Sequence, residues 1–264
     1  MDIREICAET EKAAQEAGAF IRKESGIFDV RRVEKKGLND LVSYVDKGSE
    51  KLLVEKLSKL IPEAGFVVEE GTSVKKGLKY NWIIDPLDGT TNFVHGIYPH
   101  AVSIGLMEYD EIIAGVIYEV GAKETYTAWK DGGAWLNGKQ IFVSETARLA
   151  DSLIATGFPY YDFKYLPPYM ESLTWLCKYS QGIRRLGSAA VDLAYVACGK
   201  FEGFYEYGLH PWDVAAGIIL VREAGGKVSD FSGNEAKLNG DEIVASSGLV
   251  FSEFLDSVGR FLKT

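Results

Sequence analysis

Sulfur, imidazole and long apolar runs are all scarce in this chain, and each scarcity removes a class of function. The three cysteines, Cys7, Cys177 and Cys198, are far apart and odd in number, which leaves no disulfide framework and no Cys-x-x-Cys metal site. Zinc held through sulfur is thereby excluded. No apolar run approaches the ~18 residues that a membrane span needs. The opening Met1-Asp2-Ile3-Arg4-Glu5 lacks the basic-then-apolar plan of a secretory signal, so a cytoplasmic address is expected. Basic residues are outnumbered, 29 against 38 acidic, for a formal charge of −9. Direct binding to nucleic acid or to an anionic membrane is therefore not expected. There are only 7 prolines, no Pro- or Ser-rich linker and no repeat in the range of roughly 20–50 residues, so any domain division is internal and tight.

What is present is the composition of a folded protein, 264 residues of which 47% are apolar. At ~100–150 residues per domain, that length suits one large α/β unit or two fused halves. Ile3, Ile6, Cys7, Thr10, Ala13, Ala14, Ala17, Phe20 and Ile21 follow helical spacing and predict an amphipathic helix over 3–24. A second helix is expected over 47–61, stopped by Pro62. Short strands at 66–68 and 82–84 run directly into acidic residues, and from 101 to about 135 the alternation predicts an antiparallel meander. After about 150, strand and helix alternate: strands at 152–156, 182–185, 203–206, 227–229 and 243–246, and helices at 166–178, 188–198, 211–224 and 250–263. The reading is one unit with two internal halves, an α+β half over 1–150 and an α/β half over 151–264, with a site in the cleft between them.

Three acidic segments carry the chemistry. Trp82-Ile-Ile-Asp85-Pro-Leu-Asp88-Gly89-Thr90-Thr91-Asn92-Phe93 is a buried strand emptying into two carboxylates and then into small polar residues. Asp-Pro-Leu-Asp-Gly is also good turn chemistry, but carboxylates beside free backbone N–H groups suit a metal next to an anion. Phe66-Val-Val-Glu69-Glu70-Gly71 ends another strand in adjacent acids, of which only Glu69 joins Asp85 and Asp88 easily because strand side chains alternate. A solvated acidic turn is the alternative there. Gly208-Leu-His210-Pro211-Trp212-Asp213 opens a helix, and capping alone would account for Asp213. Asp46 has the same alternative as an N-cap. With three histidines and no paired cysteines, converging carboxylates would be neutralised by a hard divalent cation.

In their order and spacing these blocks, together with Asp40-Leu-Val-Ser-Tyr-Val-Asp46 and Gly182-Ile-Arg-Arg-Leu-Gly187-Ser188-Ala189-Ala190, resemble the inositol monophosphatase family of magnesium-dependent, lithium-sensitive phosphatases. The resemblance spans nearly the whole chain. It implies a layered αβαβα sandwich of the inositol monophosphatase/fructose-1,6-bisphosphatase type, usually a homodimer. It implies two Mg²⁺ ions, one held by Glu69, Asp85 and the carbonyl of Leu87 and one by Asp85, Asp88 and Asp213, with a third, weaker ion near Glu69. Thr90, backed by Asp46, would orient the attacking water, and Glu69 counts with them as catalytic. The N–H groups of Gly89 and Thr90 would hold phosphate oxygens. Glu206 and the loop Gly187-Ser188-Ala189 would touch the leaving group, with Asp88 and Asp213 bordering the substrate.

The implied activity is hydrolysis of a small phosphorylated polyol or sugar, myo-inositol 1-phosphate first. Fructose-1,6-bisphosphatase or dual sugar phosphatase activity, and a regulatory partner-binding role on the same scaffold, are the alternatives. Thr91-Asn92-Phe93 tilts against nucleotide and histidinol phosphate substrates. A Cys-x5-Arg loop, an Arg-His-Gly motif and an Asp-x-Asp motif are all absent from the sequence, which disfavours covalent mechanisms. His210 is expected to support the ligands from behind, and Arg184 and Arg185 are expected to be surface or dimer-interface cations. Li⁺ is expected to inhibit, to a degree set by the loop around Lys35, Lys36 and Gly37.

Overall fold

A computed structural model of the chain describes residues 2–28, 34–37, 40–73, 75–159, 163–235, 238 and 241–263, with backbone only at 34–37 and 40–42. The side chains of Lys35 and Lys36, on which the degree of lithium sensitivity was placed, lie outside the described residues. Helices α1 (Ile3–Ser25) and α2 (Tyr44–Leu60) form an outer layer. In α1 the buried residues Ile6, Cys7, Ala13, Ala14, Ala17 and Ile21 make one stripe, and three alanines in it let the helix lie close to its neighbours. Helix α2 starts at Tyr44, three residues before the expected 47, because Ser43 is its N-cap and Asp46 completes a capping box. The N-cap role considered for Asp46 therefore belongs to Ser43.

A short antiparallel hairpin, β1 (Glu34–Gly37) and β2 (Asp40–Val42), connects the two helices and was not anticipated. Beneath the helices lies a seven-stranded sheet: β3 (Gly65–Val68), β4 (Tyr80–Asp88), β5 (Ala101–Glu108), β6 (Glu111–Glu119), β7 (Glu124–Trp129), β8 (Ala134–Leu136) and β9 (Lys139–Ile141), paired in that order. The expected meander from 101 onward is present, but β3 and β4 run parallel, so the sheet is mixed at its edge. Trp82, Ile84, Ile104, Leu106, Val116 and Tyr118 join the core under α1 and α2.

The second sheet contains β10 (Leu153–Thr156), β11 (Gly182–Arg184), β12 (Gly203–Tyr207), β13 (Lys227–Ser229) and β14 (Glu242–Ser246) in the order β11-β10-β12-β14-β13. β10 is parallel to both β11 and β12, while β14 is antiparallel to β12 and β13. Its outer face is covered by α4 (Leu166–Tyr179) and α7 (Phe251–Leu262) through Tyr169, Leu176, Phe254, Val258 and Leu262. Between the sheets run α5 (Ala189–Ala197) and α6 (Pro211–Glu223). Val214, Ile218 and Leu220 of α6 share one core with Ala101, Ile117 and Tyr126 of the first sheet and Ile243 and Ala245 of the second. The layers are thus helix, sheet, helix, sheet, helix, the expected αβαβα order.

Close approach of α6 to the first sheet is set by two glycines that face each other in register, Gly105 on β5 and Gly115 on β6. A Cβ on Gly105 would lie 2.8 Å from Ala215 Cβ, and one on Gly115 2.7 Å from the Ala216 carbonyl oxygen. Side chains there would lift α6, and with it the acidic residue in its first turn, off the sheet. One short helix remains, α3 (Thr90–Val94), directly after β4.

Candidate metal and phosphate site

Strand β4 carries the first two carboxylates farther than its apolar run suggests. It extends through Asp88, with an irregular register between Asp85 and Asp88, so Asp-Pro-Leu-Asp is a bulged strand and not the turn that its composition permits. Pro86 has no N–H to give the ladder, and the N–H of Leu87 goes to Asp85 Oδ1 at 2.9 Å. A side chain has thus replaced a strand partner, and a proline is tolerated at the bulge. Gly89 follows at φ +91° as the N-cap of α3. A Cβ there would meet Pro99 O, Gly187 O and His100 Cβ, each at 3.2 Å. The chain turns into α3 where only glycine fits.

Thr90 opens that helix. Its hydroxyl lies 2.8 Å from Asp46 Oδ1 and 3.0 Å from the Leu87 carbonyl oxygen. Asp46 is wholly buried, and its other oxygen accepts from the N–H and hydroxyl of Ser43 at 2.8 and 2.6 Å. Burial raises the Asp46 pKa, while the bonds from Ser43 and Thr90 pull it back. Asp46 therefore serves the helix start and Thr90 at once.

Glu69 lies just beyond β3, its N–H bonded to the Ile84 carbonyl, and its charge bears on Asp85. The turn after it is fixed by Glu50, a fully buried acid in α2 that the sequence reading passed over. Glu50 Oε2 accepts from the N–H of Glu70 and Oε1 from that of Thr72, each at 2.7 Å. Asp88 Oδ2 accepts from Ser188 Oγ at 2.6 Å and from the N–H of Ala190 at 2.7 Å. The first visible task of the 187–190 loop is thus to orient Asp88. Asp213, in the first turn of α6, receives the N–H of His210 at 2.7 Å. The support expected from His210 is given by its backbone, while its exposed ring stacks on Trp212 at 4.9 Å.

These acids feel one another. Asp85 is pushed well above the usual carboxylate range by burial, then by Glu69, Asp88 and Asp213. Asp213 is pushed up to about 7 by burial and by Asp88, against bonds from the His210 N–H and with Asp85. Burial pushes Asp88 up to about 6, against bonds from Ser188, Ala190 and Ala189 and the charge of Arg185. Asp88 and Asp213 keep partial contact with solvent and Asp85 does not. Among the described residues, no three His, Cys, Asp or Glu side chains already enclose a point where an ion would sit. The structure holds Asp85, Asp88 and Asp213 each by protein N–H or O–H groups, with the charges of the others bearing on Asp85, and not in a closed coordination shell.

The donor set itself suits magnesium. Its side-chain donors are carboxylate oxygens, which match a hard cation, and the neighbouring acids raise the pKa of Asp85 and of Asp213 in the direction that a divalent charge reverses.

Next to the acids is a pocket of ≈ 60 Å³ lined by Asp88, Gly157, Arg185, Gly187, Ser188, Ala189, Asp192, Glu206, Leu209 and Asp213. Glu206 is buried on β12, its pKa raised well above the ordinary value by burial, lowered by Arg185 and raised again by Asp213 and Asp88. Arg185 departs from the expected surface role: though exposed, it lines this pocket and its charge bears on Asp88, Asp192 and Glu206. Its sequence signal was only an arginine pair before Leu-Gly, which does not separate surface from site.

A model described as the inositol monophosphatase family matches residues 2–258. An inositol-1-monophosphatase of Mesorhizobium japonicum is 41% identical over 96% of this chain and 95% of its own. The Nus factor SuhB of Pseudomonas aeruginosa is 40% identical over 94% of this chain and 93% of its own. Among solved structures, the extragenic suppressor protein SuhB of Bartonella henselae has a TM-score of 0.91 at 39% identity, covering 96% of this chain and 98% of that chain. The IMPase of Thermotoga maritima has a TM-score of 0.89 at 36% identity, covering 100% and 99%.

Proposed function

The chain belongs to the inositol monophosphatase family, and from that premise we propose that it hydrolyses a small phosphate monoester with Mg²⁺, myo-inositol 1-phosphate being the first candidate substrate. The observation that carries this reading is that Glu69, Asp88 and Asp213, from the end of a strand, the end of β4 and the start of a distant helix, all bear on the buried Asp85. Glu69, Asp85 and the Leu87 carbonyl would hold one ion, and Asp85, Asp88 and Asp213 another, with a third, weaker ion near Glu69. When bound, Mg²⁺ supplies Lewis-acid polarisation of the phosphoryl group and acidifies water.

The remaining work falls to the chain. With the Thr90 hydroxyl donating its hydrogen bond to Asp46 Oδ1, 2.8 Å away, its lone pairs are left to accept from the attacking water and aim that water at phosphorus. The first N–H groups of α3, at Gly89 and Thr90, would face the phosphate oxygens. The leaving alcohol would occupy the pocket beside Gly187, Ser188, Ala189 and Glu206. Attack opposite the leaving group predicts inversion at phosphorus. Homodimer formation and inhibition by Li⁺, whose size is close to that of Mg²⁺ but whose charge is half, belong to the same proposal.

Phosphate release from a panel of monoesters, with and without Mg²⁺, tests the reading. Asp88→Asn and Asp213→Asn should each lower Mg²⁺-dependent turnover by at least ~10²-fold. Absence of Mg²⁺-dependent release from every monoester would overturn it. Similarity to relatives named Nus factor SuhB supports a second reading, a regulatory role through protein partners, which recovery of specific partners by the phosphatase-inactive Asp213→Asn protein would establish separately.

A further inference from the structure

Asp192 has no task in the site as described. It lies in the first turn of α5, 1% exposed, and among the described residues no donor reaches its Oδ1. The helix dipole favours an acid there but does not require its burial. The cap is already supplied by Ser188, whose Oγ accepts from the Val191 N–H at 3.4 Å. A buried carboxyl oxygen without a donor is among the costlier things a fold can keep, so a donor is to be expected from a ligand.

The pocket it lines is shared with Glu206 and Arg185 and measures ≈ 60 Å³, room for about two water-sized groups. The charges that bear on Asp192 are those of Glu206, Asp88 and Arg185. Acids thus outnumber the single cation at the end of the pocket where a leaving group would sit. Opposite, the chain keeps its backbone bare for Glu206: a Cβ on Gly157 would lie 2.0 Å from the Glu206 carboxyl carbon.

We infer that Asp192 is a specificity-determining residue, whose carboxyl works with that of Glu206 to accept hydrogen bonds from neighbouring hydroxyls of a neutral polyol leaving group and to repel a leaving group bearing a second phosphate. A hydroxyl brings the donor that Asp192 Oδ1 lacks. A second phosphate brings none in its ionised form and adds negative charge beside Asp192 and Glu206, where Arg185 is the one cationic side chain in the pocket lining. The inference rests on the phosphatase reading above and narrows its substrate class.

Steady-state kinetics on the Mg²⁺-loaded full chain decide it, using myo-inositol 1-phosphate, 4-nitrophenyl phosphate, which has no hydroxyl on its leaving group, and fructose 1,6-bisphosphate. Asp192→Asn, close in volume, should lower kcat/KM on the inositol ester at least ~10-fold more than on the aryl ester, mainly through KM. It should also narrow the preference over the bisphosphate. Equal losses on inositol and aryl esters would overturn the inference and leave the phosphatase reading standing, whereas inactivity of the unmutated protein on all three would remove the reading itself. Should the variant not fold, a crystal structure of the unmutated protein with Mg²⁺, phosphate and myo-inositol decides: a ring hydroxyl bonded to the Asp192 carboxyl supports the inference, and a water in that place refutes it.

Discussion

A carboxylate is only as well placed as the donors that hold it, and Glu50 shows how far that reaches. Both of its oxygens receive backbone N–H groups from the turn after Glu69, so the position of Glu69 is set by an acid on another element. Glu50→Gln would turn one acceptor into an amide NH₂ facing an N–H donor. The expected cost is about 1–3 kcal/mol of stability, with a raised Mg²⁺ requirement for activity because the turn beside Glu69 loosens. Thermal melts and Mg²⁺ titration of turnover would show both, and an unchanged Mg²⁺ requirement would count against this role. The sequence exposed Glu69, Asp85, Asp88 and Asp213 because each lies where a strand or helix boundary can be recognised. Glu50 was not legible, since an acid inside an amphipathic helix reads as solvated surface until the layers above it are known, and Asp192 was not, since an acid in a helix's first turn reads as a partner of the helix dipole.

At the scale of elements, the position of Asp213 depends on how closely α6 approaches β5 and β6. Gly115→Ala would put a Cβ 2.7 Å from the carbonyl oxygen and 2.9 Å from the Cα of Ala216, and backbone cannot rotate away as a side chain can. The helix must move, at about 1–3 kcal/mol, taking Asp213 with it. Denaturant midpoints and kcat should fall together, and a variant with wild-type values of both would show that the glycine pair does not set the spacing. Helices and the antiparallel meander were readable from periodicity, with boundaries off by up to three residues where a cap was missed, as at Ser43. Two features were not readable in principle. The parallel pairing of β3 with β4 has no local signature in runs of four apolar or small residues, and the continuation of β4 past Pro86 depends on Asp85 bonding its own strand.

For the whole molecule, the acids beside the pocket make stability depend jointly on pH and on metal. Asp88 is raised to about 6 and Asp213 to about 7, so without a divalent ion the folded chain binds more protons than the unfolded chain between ~4, the unfolded carboxyl pKa, and those values. Their contribution to stability therefore falls as pH rises through that window. His100, held neutral by burial with a pKa of about 4, works the other way: the unfolded chain takes up its proton below ~6.5, so that stability is lost as pH falls toward 4. Two raised acids outweigh one depressed histidine, so metal-free protein should lose stability from mildly acidic to mildly basic pH on account of this site. Mg²⁺ prefers the ionised carboxylates and should release on the order of one to two protons on binding near pH 6. The rise in Tm on adding Mg²⁺ should accordingly be larger at about pH 8 than at about pH 5.5. Replacing both Asp88 and Asp213 by Asn should abolish most of that difference. Melts at the two pH values, with EDTA and with saturating Mg²⁺, measure it: a gain in Tm that is equal at both, or greater at the acidic one, would mean that these carboxylates are not where the metal binds.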